Sequence, residues 1–85
     1  MENVHKCTSV LRPLIAEANT NGIPLAESAI NELVAVTPVP LQRDALESVR
    51  SAVKAHRDEA GLSSSQCDFA DTVNDYIERL VRSLV

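Results

Sequence analysis

The two histidines and two cysteines are the residues whose chemistry could include metal binding. Zinc usually takes four tetrahedral ligands, which proteins commonly supply as close pairs such as Cys-x-x-Cys. His5 and Cys7 have one residue between them, and on a helix this spacing directs their side chains about 160° apart. His56 and Cys67 have no second ligand beside them in the sequence. The spacing therefore predicts no metal site, and no other motif implies a cofactor.

The two cysteines could also act as nucleophiles or form a disulfide. Cys7 occupies an apolar stripe of the first helix, where a thiol behaves as a small hydrophobic side chain. Cys67 lies in the first turn of the last predicted helix, where the helix dipole favours a thiolate, but Asp68 and Asp71 oppose this effect. We interpret Cys67 as a residue at the edge of the core. Pairing of Cys7 with Cys67 stays open as an alternative, although a reducing compartment disfavours it.

A hydrolytic or transfer enzyme would need a base beside a nucleophile. His56 could serve as the base, but no serine occurs in the context of a nucleophile elbow. With two glycines in 85 residues, the chain also has no glycine-rich loop that could hold a phosphate. The sequence therefore predicts a protein that is not an enzyme, and it identifies neither catalytic residues nor a small-molecule substrate.

The charged residues form opposite stripes on the last two predicted helices. The basic stripe covers about 60° of arc on the third helix and contains Arg43, Arg50, Lys54 and Arg57. The acidic stripe on the fourth helix contains Asp68, Asp71, Asp75 and Glu78. Such stripes are either solvated faces with local ion pairs, such as Arg43 with Glu47, or surfaces that guide association with a charged partner or another copy. Under the second interpretation, the four basic residues belong to a protein interface.

The basic stripe also permits an alternative function, a small helix-turn-helix regulator that binds DNA. The formal net charge of the chain is −4, whereas nucleic-acid-binding domains usually carry a basic surface. The charge balance therefore favours a protein partner over a nucleic acid.

Turn-forming residues divide the chain into segments that could position these groups. Breaks are predicted at Asn19–Gly22, at Thr37–Pro40 and from Gly61 onward, with Gly22 suited to the left-handed conformation after a helix. Between the breaks, apolar residues recur at the helical period, and aliphatic side chains must form the core because the chain has one Phe and one Tyr. We predict a single all-α domain, 1–85, folded as a small antiparallel four-helix bundle with helices at 4–20, 24–36, 40–60 and 64–84.

Local features of two helices are also predicted. Pro13 lies on the solvent side of the first apolar stripe, so we expect it to bend one continuous helix rather than divide it. The last helix has the most regular stripe, with Ile77 and Leu80 near its centre. Its start has two alternative capping pairs, which are Ser63 with Gln66 and Ser65 with Asp68.

The second helix carries the broadest apolar stripe. Its apolar residues cover about half of the circumference, between Leu25 and Val36. A helix of this kind either contacts two neighbours at the centre of the bundle or leaves an apolar surface for a partner. We predict self-association or a stable protein partner, with Ile30 and Val34 on the contact surface.

Two short tracts resemble acyl carrier proteins. Asp44–Val49 resembles the Asp-Ser-Leu-Asp-Thr-Val sequence that starts the second helix of this family, and Thr72–Ile77 resembles the start of its last helix. The small size and acidic charge of the chain also fit the family. The serine that carries phosphopantetheine in the family is Ala45 here, so the resemblance implies an acyl-carrier-like protein without that attachment site.

Neither a signal peptide nor a membrane segment is predicted. The N-terminus has no basic start followed by an apolar run, and no apolar stretch approaches the roughly 20 residues that a membrane span needs. We therefore expect a cytoplasmic protein with reduced cysteines. Together these features predict a protein–protein interaction module, such as an adaptor, a regulator or a small inhibitor, that binds a protein partner or forms a homo-oligomer.

Overall fold

The computed structural model describes residues 2–59 and 61–84, and these residues are helical with short connections. The helices are α1 (Glu2–Glu17), α2 (Ile23–Val36), α3 (Val39–Glu59) and α4 (Ser64–Ser83), with a short 3₁₀ turn at Thr20–Gly22. Within the described ranges there is no strand, which confirms the predicted all-α class. Ala60, the predicted end of the third helix, lies outside the described residues.

The four helices pack as a small bundle in which every helix contacts the other three. Consecutive helices are joined by short connections and therefore run antiparallel. Cys7 of α1 meets Ala29 of α2, and Arg57 of α3 meets Asp71 of α4. Each helix contributes side chains to a mainly aliphatic core, whose largest fully buried members are Leu11, Ile15, Ile30, Leu46, Val49 and Ile77. No helix among the described residues has the length and apolar character to cross a membrane.

The first helix is continuous through its proline. Pro13 lies inside α1 and is exposed to solvent, as the sequence predicts. The helix ends at Glu17, and the next residue, Ala18, has a φ of 50° and donates its N–H to the carbonyl oxygens of Leu14 and Ile15. The prediction that Gly22 adopts the left-handed conformation is therefore wrong, because Ala18 does so. Gly22 has a φ of −81° and is buried, and a β-carbon there would lie 3.3 Å from Leu14 Cδ2.

The structure selects one of the two predicted starts for α4. The Ser63 hydroxyl accepts a hydrogen bond from the Gln66 N–H at 3.3 Å, and the Gln66 Oε1 accepts one from the Ser63 N–H at 2.8 Å. This reciprocal pair is a capping box. The Gln66 Nε2 also donates to the Ala16 carbonyl at 2.8 Å, so the same side chain connects the start of α4 to the end of α1.

We expect Gly61→Ala to lower the free energy of unfolding by about 1 kcal/mol. Gly61 has a φ of 60°, and an added β-carbon would meet no atom within 4 Å. The expected loss of stability therefore comes from backbone strain and not from a steric clash. Chemical denaturation of the variant and the wild type gives this difference. Ser64→Ala, at an exposed position near Gly61, is the control. An unchanged midpoint for Gly61→Ala would contradict the left-handed conformation.

Candidate protein-binding face

A shallow groove runs along the surface between α1 and α2. The Cys7 thiol donates to the Ala29 carbonyl oxygen, with 3.8 Å between sulfur and oxygen, so these two residues lie at the same position along the groove. Cys7 and Leu33 are buried and form the floor of the groove. Its volume is about 110 Å³, which is less than the roughly 300 Å³ of a small ligand pocket.

Exposed apolar side chains stand on the two walls. Val10 on α1 is 45% exposed, and Val36 on α2 is 54% exposed. Leu25, which is 61% exposed, lies on the same side of α2 because positions spaced by four, seven and eleven residues share one helical face. We name this surface the α1–α2 face, formed by a ridge of Asn3, Lys6 and Val10 and a ridge of Leu25, Glu32 and Val36.

One charge of each sign stands at the rim of the groove. Lys6 on α1 and Glu32 on α2 are both exposed, and neither forms an ion pair within the described part of the chain. The Glu32 carboxylate is close enough to influence the thiol on the floor. Burial, with a smaller contribution from Glu32, raises the pKa of Cys7 to about 11. The thiol is therefore protonated at neutral pH and acts as part of the apolar floor.

The far end of α2 is held in place by a side chain of α3. The Gln42 Nε2 donates to the carbonyl oxygens of Val34 and Thr37, at 3.0 and 3.1 Å. The Val34 carbonyl also accepts the N–H of Thr37, the C-cap of α2, at 3.2 Å, so these hydrogen bonds together satisfy carbonyl groups at the end of the helix. The two hydrogen bonds fix the position of Val36 at the end of the groove.

The structure corrects the predicted contact residues on α2. Ile30 has no exposed surface because it packs at the centre of the bundle, so the prediction that it contacts a partner is wrong. Val34 is half-buried and packs against the core. The apolar surface left by the broad stripe lies instead at Leu25 and Val36. Val10 is also exposed, although its spacing of three residues from Cys7 places it next to the apolar stripe of α1.

The opposite charged stripes face each other within the chain. The Arg57 Nε lies 2.8 Å from the Asp71 Oδ1, and this carboxylate raises the pKa of Arg57 through a hydrogen bond and its charge. Arg50 and Lys54 line the same cleft between α3 and α4, together with Asp58, Asp75 and Glu78. Much of the basic stripe therefore has acidic neighbours in the same molecule.

Arg50 and Arg43 of the basic stripe differ in their ion pairing. Arg50 pairs with Glu47, at 3.8 Å, so Glu47 has a different partner from the predicted Arg43. Arg43 is exposed and lies in an open depression with Val39 and Arg82, between the start of α3 and the end of α4. The prediction that these basic residues bind a protein stays a prediction.

The residues considered for metal or thiol chemistry do not converge. Among the described residues, no group of three or more His, Cys, Asp and Glu side chains is arranged to hold a metal ion. Cys7 and Cys67 are free thiols, and the Cys67 thiol donates to the Leu62 carbonyl. His5 is exposed, whereas His56 is half-buried against α1.

The tracts that resemble acyl carrier proteins lie inside helices. Asp44–Val49 follows five earlier residues of α3, and Thr72–Ile77 follows eight earlier residues of α4. Neither tract starts a helix, as the predicted bounds 40–60 and 64–84 imply, and in this they differ from the family sequences that they resemble. Ala45 is half-buried and packs against the core.

Comparison of the chain with protein-family models, curated proteins and solved structures gives no match.

Proposed function

We propose that this protein is a non-enzymatic protein–protein interaction module that binds a helical partner surface through the α1–α2 face. The observation that carries this proposal is the exposure of Val10, Leu25 and Val36 on two adjacent helices. Apolar side chains that remain exposed together on a small domain commonly mark an interface. We further propose that the protein acts in the cytoplasm, where its free thiols stay reduced.

The shape of the groove favours a helix as the bound element. Side chains spaced by three and four residues form ridges on both walls, and such ridges accept the ridges of another helix. The groove volume of about 110 Å³ accommodates one or two side chains rather than a cofactor or substrate. Its buried floor is apolar, and its rim supplies one cation and one carboxylate for orientation.

The alternative of a DNA-binding regulator has weaker support. A DNA-binding helix must present cations to phosphates, with little competing negative charge nearby. Here Arg57 pairs with Asp71, and Arg50 and Lys54 border the acidic side chains of α4. These local carboxylates make the α3 surface a poor match for a polyanion.

Site-specific photo-cross-linking tests the proposed face. We expect a photoreactive amino acid in place of Val36 to give a discrete protein adduct in cells that produce this chain. The same amino acid in place of Ser51, which is exposed on α3, is the matched control and should give no adduct. The mass of the adduct, measured by mass spectrometry, identifies the partner.

A second substitution connects the adduct to the face. Adding Val10→Asp to the Val36 cross-linking variant should abolish the adduct, because a carboxylate on the opposite wall opposes apolar docking. Circular dichroism should show unchanged helicity, since Val10 is 45% exposed and its replacement buries little new charge. Absence of an adduct at Val36, or one that persists with Val10→Asp, would overturn the proposed function.

A further inference from the structure

We propose that the partner of the α1–α2 face is a second copy of this chain, related by a two-fold axis that runs along the groove. This inference rests on the proposed function and identifies the occupant of the same face. A two-fold axis in this direction places α1 of each copy over α2 of the other and repeats every contact twice.

The heights of the side chains along the groove support this arrangement. The contact between Cys7 and Ala29 puts these two residues at one level. On α1, Lys6 lies one residue from this level. On α2, Glu32 lies three residues from it. Both lie toward the same end of the groove, because α1 and α2 are antiparallel. With a rise of 1.5 Å per residue, the two charges differ in height by about 3 Å. Lys6 of one copy therefore lies within reach of Glu32 of the other.

The same axis matches apolar residues with each other. Val10 lies three residues from the common level and Leu25 lies four residues from it, both toward the opposite end of the groove. Their heights differ by about 1.5 Å, so Val10 of one copy packs over Leu25 of the other. Leu25 is 61% exposed within the single chain, and this contact would cover it. One axis thus matches Lys6 with Glu32 and Val10 with Leu25.

The length of the molecule leaves room for an interface of standard size on the side that carries the α1–α2 face. The molecule measures 36 × 23 × 21 Å, and the helices run along its length. A long side of this size is on the order of the 800 Å² that each partner buries in a standard interface. An interface of two helices on two helices also resembles the packing within the bundle itself.

Charge reversal provides a sharp test by analytical ultracentrifugation over a range of concentrations. We expect the wild type to sediment as a dimer. In a dimer of either single variant, Lys6→Glu or Glu32→Lys, residue 6 of each copy carries the same charge as residue 32 of the other copy. Each substitution should therefore weaken dimerisation by about tenfold or more. An equimolar mixture of the two variants restores both attractive pairs. In the mixed dimer the new Glu of one copy faces the new Lys of the other, and the unchanged Lys6 faces the unchanged Glu32. The mixture should therefore form heterodimers, and the double variant should form homodimers.

The control is Arg12→Glu, which makes the same charge change on the opposite side of α1, at an exposed position. It should leave dimerisation unchanged. The inference is overturned if the wild type is monomeric at millimolar concentration, if Arg12→Glu weakens dimerisation as much as Lys6→Glu, or if mixing does not restore association. If the wild type is monomeric and Val36 still cross-links to a different protein, this inference fails and the proposed function stands. If Val36 gives no adduct, both fail.

Discussion

Ile77→Ala is expected to lower the free energy of unfolding by about 2–5 kcal/mol. Ile77 is fully buried at the centre of the α4 stripe, so its truncation removes apolar contacts and leaves a cavity. A domain of this size has a total stability of roughly 4–13 kcal/mol. The substitution therefore removes a large part of the stability, and urea denaturation followed by circular dichroism measures the loss.

Leu80→Ala is the matched control for this prediction. Leu80 lies one helical turn further along the same stripe but is half-buried, although the sequence places both residues near its centre. We expect its truncation to cost about half as much as that of Ile77, because fewer contacts are lost. Equal losses for the two variants, or a loss below about 0.5 kcal/mol for Ile77→Ala, would contradict the burial of α4.

A second large effect is expected from the titration of Cys7. The pKa of this thiol is raised from an ordinary value of 9.0 to about 11 in the folded chain, mainly by burial. The folded state therefore holds the proton more tightly than the unfolded state. This contribution to stability is fully present below pH 9.0 and is lost as the pH rises through about 11. The difference between the two pKa values corresponds to a loss of about 3 kcal/mol.

The measurement compares unfolding free energies of wild type and Cys7→Ala between pH 8 and about pH 11.5. All other ionisable groups are the same in the two proteins, so the difference between the two curves isolates the thiol. Cys67→Ala, which changes the half-exposed cysteine, should follow the wild-type curve. Parallel curves for wild type and Cys7→Ala would show that the Cys7 thiol is not buried as described.

The sequence alone predicts the four helices because the determining interactions are local. Apolar residues recur at the helical period in each segment, and Pro, Gly and Asn residues separate the segments. The capping box of Ser63 and Gln66 can also be recognised, since its two hydrogen bonds join residues three positions apart. Ile77 follows from the same pattern, because α4 has a narrow stripe with one possible inward direction.

The tertiary structure alone decides which edge of the broad apolar stripe on α2 remains exposed to solvent. On α2 the apolar residues cover about half of the circumference, so the pattern permits several rotations of the helix about its axis. Packing against three neighbours selects the rotation that buries Ile30 and exposes Leu25 and Val36. The sequence-based prediction for α2 named Ile30 and Val34. Periodicity shows which side of the helix is apolar, but it does not show which part of that side the neighbouring helices cover.

Long-range polar contacts are decided in the same way. Arg57 meets Asp71 across fourteen residues of sequence, and Gln66 reaches the Ala16 carbonyl across fifty. Neither contact has a sequence signature, because its geometry depends on the relative height of two packed helices. The α1–α2 face has the same origin: the level set by Cys7 and Ala29 brings Lys6 and Glu32 to nearly the same height, and that level exists only after the helices have packed.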